Sequence, residues 1–207
     1  MRAPETGADG PAIAVASLYQ EFLVTRQTGR AVRDGIERLI AGRCGEALAV
    51  LDFRDVAVID FSCADEVVAK LVLGPEVETP LAGARFVLVR GVREHHLDPV
   101  EGALRRRGLA VAAERATGEP ILLGEIEPES GSVWQALCLR GRVRSDDLAS
   151  SMGIELDSCD RILEGLLRRR LVRHCGECWE SLLFTVASSA PLRPGGAARE
   201  GPAASGG

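Results

Sequence analysis

VLDFRDVAVIDFSCADEVVAKL, residues 50–71, sets two apolar runs ahead of one helical repeat. The first run, ALAVLDF over 47–53, is short, aliphatic and bounded by charge, the pattern of a strand buried on both faces. A tight RDVA connection leads to VID. From Ser62 onward the spacing changes: Ala64, Val67, Val68 and Leu71 recur at helical intervals. Strand, short loop, strand and helix in that order predict an α/β fold.

Working outward, the same alternation continues. AIAVASLY (12–19) is a short β-prone opening. TRQTGRAVRDGIERLIAG (25–42) predicts a helix through Val32, Ile36, Leu39 and Ile40, closed by Gly42. RFVLVRG (85–91) reads as a second buried strand. HLDPVEGALRRRG (96–108) reads as a helix with Val100, Ala103 and Leu104 inward and Pro99 in its first turn. LAVAAER and PILLGEI, joined by ATGE as a turn, complete the block. Strands separated by helices of this length imply parallel pairing through right-handed crossovers.

A second block follows. Residues 133–141 predict a helix with Val133, Trp134, Leu137 and Cys138 inward. Residues 145–152 predict a short helix with Ser145 as N-cap, and Gly153 ends it. Residues 156–170 predict a third helix with Cys159, Ile162, Leu163, Leu166 and Leu167 on one face. LVRHCGECWESLLF (171–184) reads as a β-hairpin turning at Gly176 and Glu177. The expected organisation is an unstructured 1–11, an α/β domain at 12–128, a second domain at 132–186 with its own core, and an unstructured tail at 187–207. Both ends carry too little apolar surface to offset their ordering entropy.

Of the 207 residues 46% are hydrophobic but only 4% aromatic, so the core must be aliphatic. The formal net charge of −5 gives no global attraction to nucleic acid or anionic membrane. Lys70 is the only lysine, and with abundant Ala and Gly this matches a GC-rich bacterial coding bias. No signal peptide is read at the N-terminus, and no apolar run approaches the roughly 18 residues of a membrane span. The expected compartment is the cytoplasm, with the six cysteines reduced.

The strand–turn–helix over Phe22–Leu71 resembles the STAS fold of anti-sigma factor antagonists, and more closely a STAS-like family with an LDF…S.ADE..KL pattern. In that family a Thr-Arg pair precedes the strand, here Thr25 and Arg26. The resemblance implies a mixed β-sheet with helices, no catalysis, no cofactor, and regulation through a protein partner such as a histidine-kinase-like ATPase. It also puts Ser62 at the antagonists' phosphorylated position, with Phe61 and Cys63 departing from the pattern. Asp60 and Asp65 would repel a phosphate there and so alter the surface presented to a partner. The competing reading makes Ser62 a helix N-cap, with Asp65 completing a variant capping box.

SDDLASSMGIELDSCDRILEGLLRRRLVRHCGECWESL resembles a bacterial winged helix-turn-helix. This implies transcription regulation by DNA contact or, alternatively, protein docking. The candidate phosphate contacts are Arg142, Arg144, Arg161, Arg168 and Arg173. Asp157, Asp160 and Glu164 on the outward positions of the third helix oppose a polyanion, and across the segment acids match the arginines, so a protein-docking role is preferred. His174, Cys175 and Cys178 form an HCxxC cluster that could ligate zinc only with a further ligand pair; buried thiols flanking a turn explain the same letters. Cys63 at a helix start is open to reading as a redox-sensitive thiol or a small buried hydrophobe. His95 and His96 with Asp60, Asp65 and Glu66 could suggest a hydrolytic or metal site at strand ends, but the two histidines are read as a solvated helix start. No P-loop, GxSxG, GxGxxG or HExxH motif supports an enzyme. The sequence fixes no oligomeric state.

Overall fold

The computed structural model describes residues 12–40, 47–74 and 85–189. It is a mixed α/β fold. Strands β1 (Ile13–Ala14), β3 (Ala47–Asp52), β5 (Arg85–Val92) and β6 (Ala110–Arg115) pair in parallel, and β7 (Pro120–Gly124) returns antiparallel beside β6. The strand order β1-β3-β5-β6-β7 follows the chain. Crossovers of one hand that advance in one direction place their helices on one face of the sheet. These are α1 (Arg26–Ile40), the helix formed by α2 (Phe61–Ala64), a π-helical segment (Asp65–Ala69) and α3 (Lys70–Leu73), and α4 (Glu94–Arg105).

Alternation along the strands divides the core. Ala49, Leu51, Val87, Val89, Val111 and Ala113 pack on the crossover helices. Leu48, Val50, Phe86, Leu88, Ala110 and Ala112 face the other way, against the C-terminal elements. Those elements are α5 (Pro128–Arg140), β8 (Arg142–Val143), α6 (Ser145–Met152), α7 (Leu156–Arg168), β9 (Val172–Cys175), β10 (Cys178–Ser181) and α8 (Leu182–Ser189). The C-terminal block therefore shares its core with the sheet, where the sequence suggested a core of its own.

Several boundaries differ from expectation for physical reasons. The opening segment turns into a 3-10 helix at Val15–Leu18 after two strand residues. β4 (Val58–Ile59) leaves the main sheet and pairs in parallel with β2 (Phe22–Leu23). Leu39 is exposed, while Val32, Ile36 and Ile40 are buried. α4 begins at Glu94, which puts Pro99 in the helix interior. α5 begins at Pro128, whose fixed φ suits a first turn. The hairpin ends at Ser181, because the Ser181 hydroxyl accepts the Phe184 N–H (3.2 Å) and starts α8, which runs to Ser189 inside the expected tail. Gly42 and Cys44, with the rest of 41–46 and with 1–11, 75–84 and 190–207, lie outside the described residues. Among the described residues no helix is long and apolar enough to cross a membrane.

Candidate docking surface around Ser62

Asp60, not Ser62, caps the helix. The Asp60 Oδ1 accepts the Cys63 N–H at 2.7 Å. Ser62 stands inside the first turn, half-exposed, and its hydroxyl donates to both Asp60 carboxylate oxygens (2.9 and 3.1 Å). The expected Ser62–Asp65 capping box does not form.

Asp65 points inward. Its side chain is 6% exposed and takes a bidentate bond from Arg107 (Nε 2.7 Å, Nη2 3.1 Å) and another from Arg26 (3.1 Å). Glu66, fully buried, meets Arg26 (2.9 Å), Arg30 (3.6 Å), Arg33 (2.6 Å) and Lys70 (2.6 Å). Burial pushes the Glu66 carboxyl up, but the hydrogen bonds from Lys70 and Arg26 outweigh it and leave it below its ordinary value. For Asp65 the Arg107 hydrogen bond dominates, and its pKa also falls.

The local sequence explains this convergence. Thr25 caps α1 by accepting the Thr28 N–H (3.1 Å), and its carbonyl takes the Cys63 thiol hydrogen (2.8 Å). Gly29 lets the helices approach closely: a methyl there would lie 2.9 Å from Glu66 Cβ and 3.0 Å from Cys63 Cα. Arg26, Arg30 and Arg33 then reach across from one face of α1. The π-helical segment, a form common near functional sites, buries Asp65 and Glu66 side by side. Cys63 is buried, and desolvation pushes its thiol up to about 12, so it is no activated nucleophile.

Outside this cage lies apolar surface. Phe22 and Val58 are direct partners in the β2–β4 ladder and are 47% and 41% exposed. Phe61, 36% exposed, follows on the same turn beneath the Arg106 guanidinium, 6.0 Å from its ring. The β2–β4 ladder thus leaves a pair of apolar side chains open to solvent. Sequence reasoning missed Phe22, Val58, Arg30, Arg33, Lys70 and Arg107, and weighed Glu66 only as part of a hydrolytic or metal site. The i, i+4 spacings of Arg26–Arg30 and Glu66–Lys70 were the available signal.

His96 is buried, correcting the solvated reading. Its Nδ1 accepts the Arg93 N–H (3.2 Å), so Nε2 carries the proton and donates to the Val56 carbonyl (2.9 Å). Desolvation lowers its pKa to about 4. This neutral ring fastens the loop before β4 to the start of α4. His95 stays exposed, edge-on to His96.

The C-terminal candidates are not brought together. Arg142 pairs with Glu180 (3.1 Å), and Arg144 with Glu177 and with Asp146 (3.3 Å). Arg173 turns inward over the Phe86 ring at 5.8 Å. Arg161 and Arg168 are exposed on α7, bonded to Ser158 (3.0 Å) and near Glu164 (3.9 Å). His174 stacks on Trp179 (4.4 Å) on the opposite side of β9 from Cys175, so His174 is turned away from the two cysteines. Among the described residues no group of three His, Cys, Asp or Glu side chains is placed to hold a metal. No protein-family model matches the chain, and no curated protein matches it.

Proposed function

We propose that this chain is a non-enzymatic bacterial regulatory protein: a STAS-like platform that binds a protein partner around Ser62, joined to a C-terminal winged-helix unit. The observation that carries the reading is the Ser62 hydroxyl. It is half-exposed, bonded to Asp60, unnecessary for the helix cap, and set next to the exposed Phe61 on the turn that follows the β2–β4 ladder, where Asp60 N–H donates to the Leu23 carbonyl. A phosphoryl group there adds about two negative charges against the Asp60 carboxylate. It breaks the Ser62–Asp60 bond and disturbs the cap on Cys63, changing the charge and shape of the docking surface together. By resemblance the partner is a histidine-kinase-like ATPase.

For the C-terminal unit, the helices α5 to α7 with the β8-β10-β9 sheet support the winged-helix assignment. Protein docking is favoured over DNA, because Arg142 and Arg144 are neutralised by hairpin and helix acids and Arg173 faces the core.

The test is site-specific photocrosslinking in the native host, with a benzophenone side chain at position 22 and, as control, at the exposed position 139. A discrete protein adduct is expected from position 22 alone, and Ser62→Glu should abolish it. Identical adducts from both positions overturn the docking surface. An adduct indifferent to Ser62→Glu overturns the switch.

A further inference from the structure

Cys175 ends β9 and Cys178 begins β10, and the two are direct partners in the antiparallel ladder. Gly176, at φ +64, supplies the left-handed first position that a two-residue hairpin turn requires. Residues directly opposite in such a ladder project from the same face, with Cα atoms about 4.5–5.5 Å apart. That lies within the roughly 4.4–6.8 Å that a disulfide spans. Both are free thiols and half-buried, which leaves a path for a small reagent. By contrast Cys63 and Cys159 are fully buried, and Cys138 lies on α5.

The surroundings tolerate the loss of the thiol hydrogens. The Cys175 Sγ–H donates to Glu180 Oε2 (3.5 Å), and Glu180 also holds Arg142 (3.1 Å), so the carboxylate keeps a partner when the thiol bond is gone. The turn itself carries Glu177, whose carboxylate ties Arg144 at the start of α6 to the hairpin.

We propose that Cys175 and Cys178 form a redox modification site that closes into an intra-hairpin disulfide under a low-molecular-weight disulfide, RSSR. One thiolate attacks RSSR, forming a mixed disulfide and releasing RS⁻. The second thiolate attacks the protein sulfur of that mixed disulfide, forming the Cys175–Cys178 bond and releasing a second RS⁻. The two thiol protons pass through solvent to the two released thiolates. The pair is oxidised by two electrons and RSSR is reduced to two RSH. The closed bond pins the turn and with it the Glu177–Arg144 strap. The inference is independent of whether the C-terminal unit meets protein or DNA.

The full chain is tested as purified, fully reduced and then equilibrated in glutathione buffers of increasing oxidised fraction, quenched with iodoacetamide and digested with trypsin. Cleavage after Arg173 yields a peptide holding Cys175 and Cys178 and no other cysteine. Oxidation is expected to make this peptide lighter by two hydrogens and to remove both of its alkylation sites. Cys175→Ser and Cys178→Ser should each instead retain one glutathione adduct, since the resolving thiol is missing. Wild-type peptide that stays doubly alkylated, or links to another cysteine, overturns the proposal. So does protection from alkylation that a chelator reverses, which would mean a metal. The wild-type peptide map is decisive even if a serine variant fails to fold.

Discussion

Acidification should destabilise this protein in a window set by one buried histidine. His96 is fully buried and neutral, with Nδ1 accepting from Arg93 N–H and Nε2 donating to Val56 O. Protonating it would remove the Nδ1 acceptor and bury a cation. Its folded pKa of about 4 lies below its unfolded value of 6.5, so as pH falls the unfolded chain binds the proton first. Stability is therefore full above about pH 6.5 and declines below it. Linkage puts the loss at roughly 2 kcal/mol by pH 5 and about 3 kcal/mol below pH 4. The carboxylates of Asp52, Asp65 and Glu66, all lowered, add their own losses only at more acidic pH. Urea denaturation at pH 8, 6.5 and 5 measures the effect on wild type and on His96→Gln. The glutamine amide can donate to Val56 O and accept from Arg93 N–H without titrating. The wild type should lose about 2 kcal/mol between pH 8 and 5 while the variant changes by less than about 0.5 kcal/mol. Parallel losses in both proteins would refute the argument.

Other substitutions probe the cage and its cap. Glu66→Gln removes the carboxylate beneath Arg26, Arg33 and Lys70, and by urea melts should cost about 3 kcal/mol, as for breaking a buried ion pair. Gly29→Ala gains helix propensity of about 1 kcal/mol. It also drives a methyl against Glu66 Cβ and Cys63 Cα, so a net loss of about 1 kcal/mol or more is expected in the same assay. Asp60→Ala should cost about 1 kcal/mol of thermal stability, as for a lost N-cap. Ser62→Ala should stay within about 0.5 kcal/mol, and the reverse order would return the cap to Ser62.

What the sequence made readable was what neighbouring residues decide. β3 and β5 stood out because strands buried on both faces have no polar alternation to disguise them. α1 stood out through Val32, Ile36 and Ile40, and the hairpin through Gly176. The π-helical segment was not readable. Ala64, Val67, Val68 and Leu71 describe a one-sided helix with its acids outward, whereas every residue from Cys63 to Ala69 is buried. Asp65 and Glu66 can be buried because Lys70 close by is joined by Arg26, Arg30 and Arg33, from more than thirty residues earlier, and by Arg107, about forty later, which supply compensating charge. His96 misled for the same reason: its acceptor, the Val56 carbonyl, is also forty residues away. Ser62 was singled out by resemblance, and the capping role also read for it falls to Asp60, since a carboxylate accepts the orphan N–H more strongly than a hydroxyl.

The one-sided crossovers have a further consequence for how the two halves depend on each other. With α1, α2–α3 and α4 on one face, the opposite face of the sheet has only the C-terminal elements to cover it. Leu48, Val50, Phe86 and Leu88 are at most 4% exposed there, in one cluster with Trp134, Leu137 and Leu163. Baring four such side chains forfeits up to about 6–12 kcal/mol at roughly 1.5–3 kcal/mol each. That is comparable with the whole stability of a typical domain, about 5–15 kcal/mol. A chain cut after Glu127 should therefore lose its cooperative melt, bind a hydrophobic dye and self-associate, as followed by calorimetry, dye fluorescence and sedimentation. A monomeric fragment melting at the full chain's temperature would show that the C-terminal block is an appendage. If the fragment fails as expected, the Ser62 turn and the hairpin belong to one folding unit, each face of the sheet depending on the other for its cover.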